Sequence, residues 1–530
     1  MALAGVDLAV VALYAVTLLV IALVVSRERK GHEKNTTDYF LAGKALPWWA
    51  IGASLIAANI SAEQVIGMSG SGFAIGLGIA SYEWMAAITL IIVGKFFLPI
   101  FLEKRIYTMP QFLEQRYDAS VRSVMAVFWL GVYVLVNLTS ILWLGALTIN
   151  TLTGLDLFWG LVALATFAAL YSLYGGLKAV ALTDIIQVAM LVAGGLLISY
   201  LSLNAVSDGQ GAIAGFQRLM AEAPEKFDMV LARDNPNHTY LPGLSVLLGG
   251  MWIMNLSYWG FNQYIIQRAL AARSVREAQA GVVFAAFLKL LVPVLVVFPG
   301  MAAYLLAPDL ERADQAYPTM MSLAPAGVRG LIFAALVAAI VSSLGSMMNS
   351  IATIFTMDLY KPFRPATTER TLVIVGRTVA VVALVVAVLA ARPLLGQADQ
   401  VFQWLQEFTG FFTPGIVTLF LLGMFWKRAT PLAAFCAALG SAAFSLVYKL
   451  DLTRFVGLDL RLDTVPFMNR VGYVFLLCVA TMVVVSLLQG AKTHEKAIHH
   501  EEISFNTSAR FNAAGAIVAA VLVGLYWYWW

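Results

Sequence analysis

Histidine, cysteine and charge are all scarce in these 530 residues. The five histidines, His32, His238, His494, His499 and His500, all fall in expected loops. That excludes histidine metal sites and histidine proton relays inside any membrane-crossing segment. His499-His500 beside Glu501-Glu502 could hold a metal weakly, but a solvated loop is the plainer reading. Cys436 and Cys478 sit in apolar runs and read as small packing residues, not a disulfide framework. No G-x-x-x-x-G-K-[ST] occurs, which argues against ATP hydrolysis by a P-loop. Strand-length alternation is missing too, which argues against a membrane barrel. The chain is not expected to be an enzyme, because no titratable constellation with an activated nucleophile or metal is visible. Nor does a continuous polar pore of the channel kind show itself.

What is abundant is apolar: 61% of the residues are hydrophobic and only 12% are charged. Apolar runs of about 20 residues, each able to cross ~30 Å of hydrocarbon, recur along the whole length. The expected class is an all-α polytopic membrane protein. About fourteen transmembrane helices are expected, at 6–26, 48–73, 79–102, 123–149, 156–175, 179–203, 243–267, 275–306, 326–357, 372–391, 398–424, 430–448, 467–488 and 511–529. The first run follows Asp7 and precedes Arg27, Arg29, Lys30 and Lys34, so it reads as a signal anchor with its N-terminus outside. On this layout the inside loops hold about twice as many lysines and arginines as the outside loops, which supports both termini lying outside. The terminal Tyr526-Trp527-Tyr528-Trp529-Trp530 reads as an interfacial anchor.

The stretch Gly52–Gly72, GASLIAANISAEQVIGMSGSG, is the most informative one. It is framed by apolar sequence yet carries Ser54, Asn59, Ser61, Glu63, Gln64, Ser69 and Ser71. Irregular, polar backbone survives at membrane depth only where protein or a watery cavity surrounds it. A helix broken in this way points to the solute site of a transporter.

Charges at membrane depth are costly and usually functional. Lys289 in VVFAAFLKLLVPVLVVF lies about 20 Å along its helix from Arg276, near mid-bilayer. It reads either as a structural cation paired with a buried carboxylate, Glu63 or Glu83, or as a hydrogen-bond donor to a solute. Glu83 opens the third run and is either a site residue or an interfacial one. Lys95 can snorkel, and Asp184 is either an inward-side cation attractor or interfacial. Asn255, Tyr258 and Trp259 sit mid-span in MWIMNLSYWGFNQY, and Gln406 and Glu407 in FQWLQEFTG. Amides and carboxylates with nearby aromatics suit a neutral polyhydroxyl ligand, because each hydroxyl both donates and accepts and an aromatic face covers a sugar ring. Ser342 and Ser343 could join carbonyls of a broken helix in all-oxygen ligation of a hard monovalent ion, or could simply allow close helix packing.

Together SLIAANISAEQVIGMSGSG, ASYEWMAAITLIIVGK, NLTSILWLG, YWGFNQYIIQRAL, AQAGVVFAAFLKL, AAIVSSLGSMMNS, MDLYKP and FQWLQEFTG resemble the sodium/solute symporter family. The resemblance is to its bacterial sodium/galactose branch, related to the sodium/glucose cotransporters, and runs from about residue 36 to about residue 430. It implies a LeuT-like fold with two inverted five-helix repeats, 36–203 and 243–425. An extra N-terminal helix and basic loop (1–35), an extracytoplasmic loop (204–242) and three C-terminal helices (426–530) would flank them. It implies co-transport of sodium and a hexose across a bacterial inner membrane, with lipid, sodium and sugar as partners and no nucleic acid. Another small solute, such as an amino acid, vitamin or organic anion, is the alternative cargo. By the motifs, sugar contacts fall on Gln64, Glu83, Asn255, Lys289 and Gln406, with Asn59 and Tyr82. Tyr258 with Trp259 would form the inner gate, and Met68 and Phe402 the outer one. Sodium would meet the carbonyls of Ala57, Ile60 and Ala339 and the hydroxyls of Ser342 and Ser343, and would leave past Asp184. Ala86 stands where the galactose carriers have a serine, which removes one expected sugar contact.

Overall fold

The computed structural model describes residues 3–25, 46–106, 108–456, 458, 460–490 and 492–530, without the side chains of 18–19, 22–25, 171–184, 455–456 and 502. Its helices run as α1 (Gly5–Val25), α2 (Trp48–Asn59), α3 (Ser69–Ala74), α4 (Ser81–Ile92), α5 (Ala119–Val132), α6 (Thr139–Thr153) and α7 (Leu157–Val206). They continue as α8 (Gly250–Leu256), α9 (Gln263–Leu270), α10 (Val275–Leu306), α11 (Val328–Ile354), α12 (Glu369–Leu395), α13 (Val401–Thr409), α14 (Thr413–Phe425), α15 (Pro431–Lys449), α16 (Phe467–Leu488) and α17 (Ala509–Tyr528). Short helices and turns fill the joints.

Among the described residues, nine helices are long and apolar enough to cross a membrane, or eleven if two bent pairs each count as one span. Two further apolar stretches, Gly5–Thr17 and Leu157–Leu170, are shorter as described. One expected boundary differs, in α7. The sequence suggests separate spans at 156–175 and 179–203, yet Leu157–Val206 is one continuous helix of 50 residues. At 1.5 Å per residue it covers about 75 Å, well over twice a hydrocarbon core. No proline separates the two apolar runs and only 176–178 lie between them; Gly175-Gly176 weaken the helix there without ending it. The expected span 243–267 is likewise interrupted rather than continuous.

The breaks are where polar residues interrupt apolar runs. α2 stops at Asn59, Ile60 leaves the helical region, and a π turn (Glu63–Met68) leads into α3, bent 60° from α2. The pair α13 and α14 is bent by 46°. Between α8 and α9 a π turn (Ser257–Phe261) ends in extended Asn262.

Helix α10 packs lengthwise against α2, α3 and α4, and glycines set how closely it lies. A Cβ on Gly52 would come 2.7 Å from Gly281 O, and one on Gly300 would come 2.0 Å from Ser69 O. Small residues let helix backbones meet directly, which is how membrane helices gain contact without a hydrophobic drive. Gly300→Ala is therefore expected to cost about 1–3 kcal/mol by overpacking against backbone that cannot yield. Thermal unfolding in detergent checks this: Gly131→Ala, which meets nothing within 4 Å, should melt like the parent and Gly300→Ala below it. Two prolines, Pro293 and Pro299, lie inside α10. In the turns before them Leu290 O accepts from Trp84 Nε1 (3.3 Å) and Val294 O from Ser199 Oγ (2.5 Å). Neighbouring helices thus hydrogen-bond to the backbone of this proline-containing stretch of α10.

The ends are tied as well. Asp7 on α1 is buried and accepts from Gly327 N (2.7 Å), Gly330 N (2.9 Å) and Arg329 (3.0 Å), capping the start of α11. Arg116, also buried, donates to Gly423 O, Trp426 O and Ala429 O where α14 ends.

Candidate functional site

The three interrupted helices converge on one cavity of about 870 Å³, counting its mouth. It is lined by Asn59, Gln64, Tyr82, Glu83, Asn255, Tyr258, Trp259, Phe402 and Gln406 from the expected set. Glu83 is buried, so its interfacial reading is withdrawn.

Lys289 projects from the middle of α10 and is fully buried. Its Nζ donates to Glu83 Oε2 and Asn59 Oδ1 and lies 4.9 Å over the Trp259 ring. The expected carboxylate partner was either Glu63 or Glu83; the structure pairs Lys289 with Glu83. Glu63 faces the cavity elsewhere, hydrogen-bonded to Asn137 with Oε1 unpartnered. A buried ammonium needs both a counter-charge and filled donor positions, and Glu83 with Asn59 supplies them.

Asn59 also joins the two breaks, since its Nδ2 donates to Tyr258 OH at 3.0 Å. Tyr258 OH in turn shares a hydrogen bond with Tyr264 OH on α9. Tyr133 reaches from the π turn that follows α5, donating to Asn262 Oδ1 and accepting from Gln263 N at 3.0 Å. One hydrogen-bond chain therefore runs from Lys289 to the second break.

Of the remaining expected contacts, Asn255 Nδ2 is held by Met251 O (3.1 Å) and Gln64 Oε1 accepts from Ser61 Oγ (3.5 Å). Tyr82 packs edge-on to Phe402 with ring centres 5.1 Å apart, and its hydroxyl has no partner among the described residues. Met68 is buried behind the lining, and Phe402 sits on Gly67, whose Cβ would come 3.1 Å from Phe402 Cβ. The opposite end of the cavity continues past Phe128, Trp129, Val132, Phe412, Thr413 and Ile416.

The expected ion residues sit on two helices that pack on each other, α2 with the break after it and α11. Ala57, Ile60, Ala339, Ser342 and Ser343 are all buried where α2 packs on α11. Ser343 Oγ donates to Ala58 O at 3.4 Å, which brings the serine pair to the end of α2. In a regular helix Ser61 N would serve Ala57 O; here it turns to Asn59 O at 2.8 Å. The break thus leaves Ala57 O without its usual helical donor, close in sequence to the Ala58 carbonyl that meets Ser343; oxygens without a carboxylate are a donor type suited to a hard cation of low charge. Asp184 lies outside the described residues as far as its side chain is concerned.

Sequence reasoning assigned no role to Asn137, Tyr133, Asn262, Tyr264 or Arg268. Arg268 is buried and donates to Ser54 Oγ (2.8 Å), Ser346 Oγ (2.5 Å) and Tyr264 O. It ties α9 to both α2 and α11, and Ser346 Oγ donates onward to Ser342 O (2.9 Å). The available signal was its place in YWGFNQYIIQRAL, but an arginine that close to a run end reads as a loop charge.

A family model described as the sodium:solute symporter family matches residues 39–440. The chain is 50% identical to the "Sodium/glucose cotransporter" of Vibrio parahaemolyticus, over 98% of each chain. It is 35% identical to the "Sodium/myo-inositol cotransporter 2" of Mus musculus, over 83% of this chain and 69% of that one. Among solved structures, a Na+-coupled sialic acid symporter in a substrate-bound outward-open state superposes with a TM-score of 0.78 at 23% identity, covering 93% of this chain and 100% of that one.

Proposed function

The chain belongs to the sodium:solute symporter family, and from that premise we propose that it carries a hexose, galactose or glucose, inward with sodium by alternating access. The observation that carries this reading is the break at Asn59–Ser61. Its cavity side presents Asn59 and Gln64, while on its other side Ala58 O accepts from Ser343 Oγ. One irregular segment so serves a polyhydroxyl cavity and an oxygen-lined ion site at once.

In the cavity Gln64, Glu83, Asn255 and Gln406, with Asn59 and Tyr82, offer the hydroxyls of a sugar both donors and acceptors. Lys289 reaches the sugar only alongside Glu83, and the pair is neutral overall. That favours a neutral solute over an organic anion, for which Lys289 would have to abandon Glu83. Tyr258, with Trp259, stacks beneath the sugar as the inner gate. Sodium binds Ala57, Ile60, Ala339, Ser342 and Ser343, tying α2 to α11 and shaping the face of the break that meets the sugar. Coupling is the difference in affinity of each ligand for the two conformations, and it is reciprocal.

The repeats are assigned as 36–203 and 243–425. The first helix of each block is interrupted, after Asn59 and at Asn262, which is the pattern of paired half-helices at a central site. With both termini outside, Phe402 and Met68 shut the outer end, and the mouth past Phe128 and Phe412 faces inward. Three C-terminal helices and α1 flank the repeats, and the protein resides in the bacterial inner membrane.

The test is uptake of radiolabelled galactose and glucose into proteoliposomes under an inward sodium gradient, with choline as the control cation. Sodium-dependent accumulation of either sugar, competed by the other, is expected. Sodium-dependent binding without sugar uptake would move the cargo to another small solute.

A further inference from the structure

The outer end of the cavity is fastened by a second cluster that none of the expected sugar or ion contacts includes. Two loop segments, 312–315 and 396–401, clasp each other. Arg312 donates to Gly396 O (2.8 Å) and Ala398 O (3.4 Å), and its guanidinium lies 6.0 Å from the Trp143 ring. Ala313 N donates to Asp399 Oδ1 (3.2 Å), and Val401 N donates to Asp314 Oδ2 (3.0 Å). Val401 begins α13, the helix that bears Phe402 and Gln406. On its other side Asp314 presses on the outer half of the first broken helix: a Cβ on Gly70 would come 2.5 Å from Asp314 Oδ1. Ser71 Oγ also meets Gln400 Oε1 (3.4 Å). Asp314 is 1% exposed, and its Oδ1 has no hydrogen-bond partner.

We propose that Asp314 is a positioning residue of the transport cycle: it fixes the start of α13 on the outer half-helix α3 when the outer mouth is shut, and it takes up one proton from the outer water as that mouth closes. The inference rests on the sidedness assigned above. A buried carboxylate with one oxygen unpartnered is poorly matched to its ionised form, whereas a proton on Oδ1 removes the charge. When the clasp parts, both oxygens regain water and the proton leaves.

The surroundings agree. Burial raises the proton affinity of Asp314 well above the usual carboxylate range, and Asp399 adds to this, while the Val401 N–H and Arg312 oppose it. The other titratable groups on elements packed against this segment are Glu63, at the start of the π turn, and Tyr317. α3 and α6 contribute none. The sign follows. A group whose closed-state affinity for protons is raised favours closure most at low pH, and that preference is lost as pH rises through the raised value.

The latch can be read without any sugar moving. Ser71→Cys, in a Cys436→Ala/Cys478→Ala background, lies under the clasp and becomes open to a membrane-impermeant maleimide only when the clasp parts. Its labelling rate in intact cells is compared, at each outer pH, with the same cysteine in Asp314→Asn; taking the ratio cancels the thiol's own titration. Asparagine mimics the protonated carboxyl, so labelling and initial uptake in Asp314→Asn should stay slow throughout. The ratio should climb as the outer pH rises above the ordinary carboxylate range, by at most about tenfold per unit for one proton. Asp314→Glu, which keeps a titrating group, should retain a pH-dependent ratio with a displaced midpoint, and it serves as the readout if Asp314→Asn does not fold. A flat ratio in cells that accumulate sugar with sodium overturns the latch and leaves the transport reading standing. A climbing ratio in cells that take up no hexose does the reverse. A flat ratio without uptake overturns both.

Discussion

Lys289→Ala should abolish sodium-driven sugar uptake and lower the melting temperature as well. Removing one member of a buried, hydrogen-bonded ion pair costs about 3–5 kcal/mol, because the partner is left charged without a counter-charge. Here that partner is Glu83, and Asn59 loses a donor at the same time. At about 1.4 kcal/mol per decade, the loss corresponds to roughly a hundredfold to a few thousandfold if it falls wholly on sugar binding. Stability and binding can be separated by replacing both partners. Lys289→Met with Glu83→Gln removes the stranded charge, so thermal unfolding should return most of the way to the parent. Uptake should not return, because the donor set that meets the hydroxyls is gone. Recovery of both in the double variant would make the pair a structural cation after all, which is the other reading the sequence left open.

The depth of Lys289 was legible because a lysine in an unbroken apolar run has no inexpensive explanation. The break at Asn59 was legible for the same reason, since its amides, hydroxyls and glycines contradict the apolar frame around them. Continuity of α7 was not. Hydropathy marks where a chain can cross lipid, not where a helix stops, and 171–184 carries no proline. Arg268 was missed for a related reason. A charge near the end of an apolar run looks solvated, and only the packing of α2 and α11 around it shows that it is enclosed. Asp314 lies in a loop, where sequence gives a carboxylate no sign of burial. The choice of Glu83 over Glu63 as the lysine partner depended on which face of α4 meets α10, and three-dimensional packing decides that.

Ser342→Ala with Ser343→Ala should uncouple sodium from sugar while leaving every cavity-lining side chain in place. Neither serine lines the cavity, and both lie behind the first break. Removing the two hydroxyls takes away about 1–3 kcal/mol of ligand interaction each, so apparent sodium affinity should fall by roughly thirtyfold or more. Reciprocity then fixes what happens to the sugar. At sodium concentrations that saturate the parent, the variant should show a raised half-saturation for hexose and little sodium-driven accumulation. Sodium-independent exchange of labelled sugar, which needs only the cavity and the gates, should survive. Packing gives a built-in control, because alanine is smaller than serine and leaves the seam between α2 and α11 uncrowded. A fall in stability without a change in sodium dependence would mean the serines are there for packing alone. A shift in sodium dependence at parental stability would place the ion at the end of α2. Intact sodium-driven uptake in the double variant would remove the ion from this site and require a new search for its oxygens.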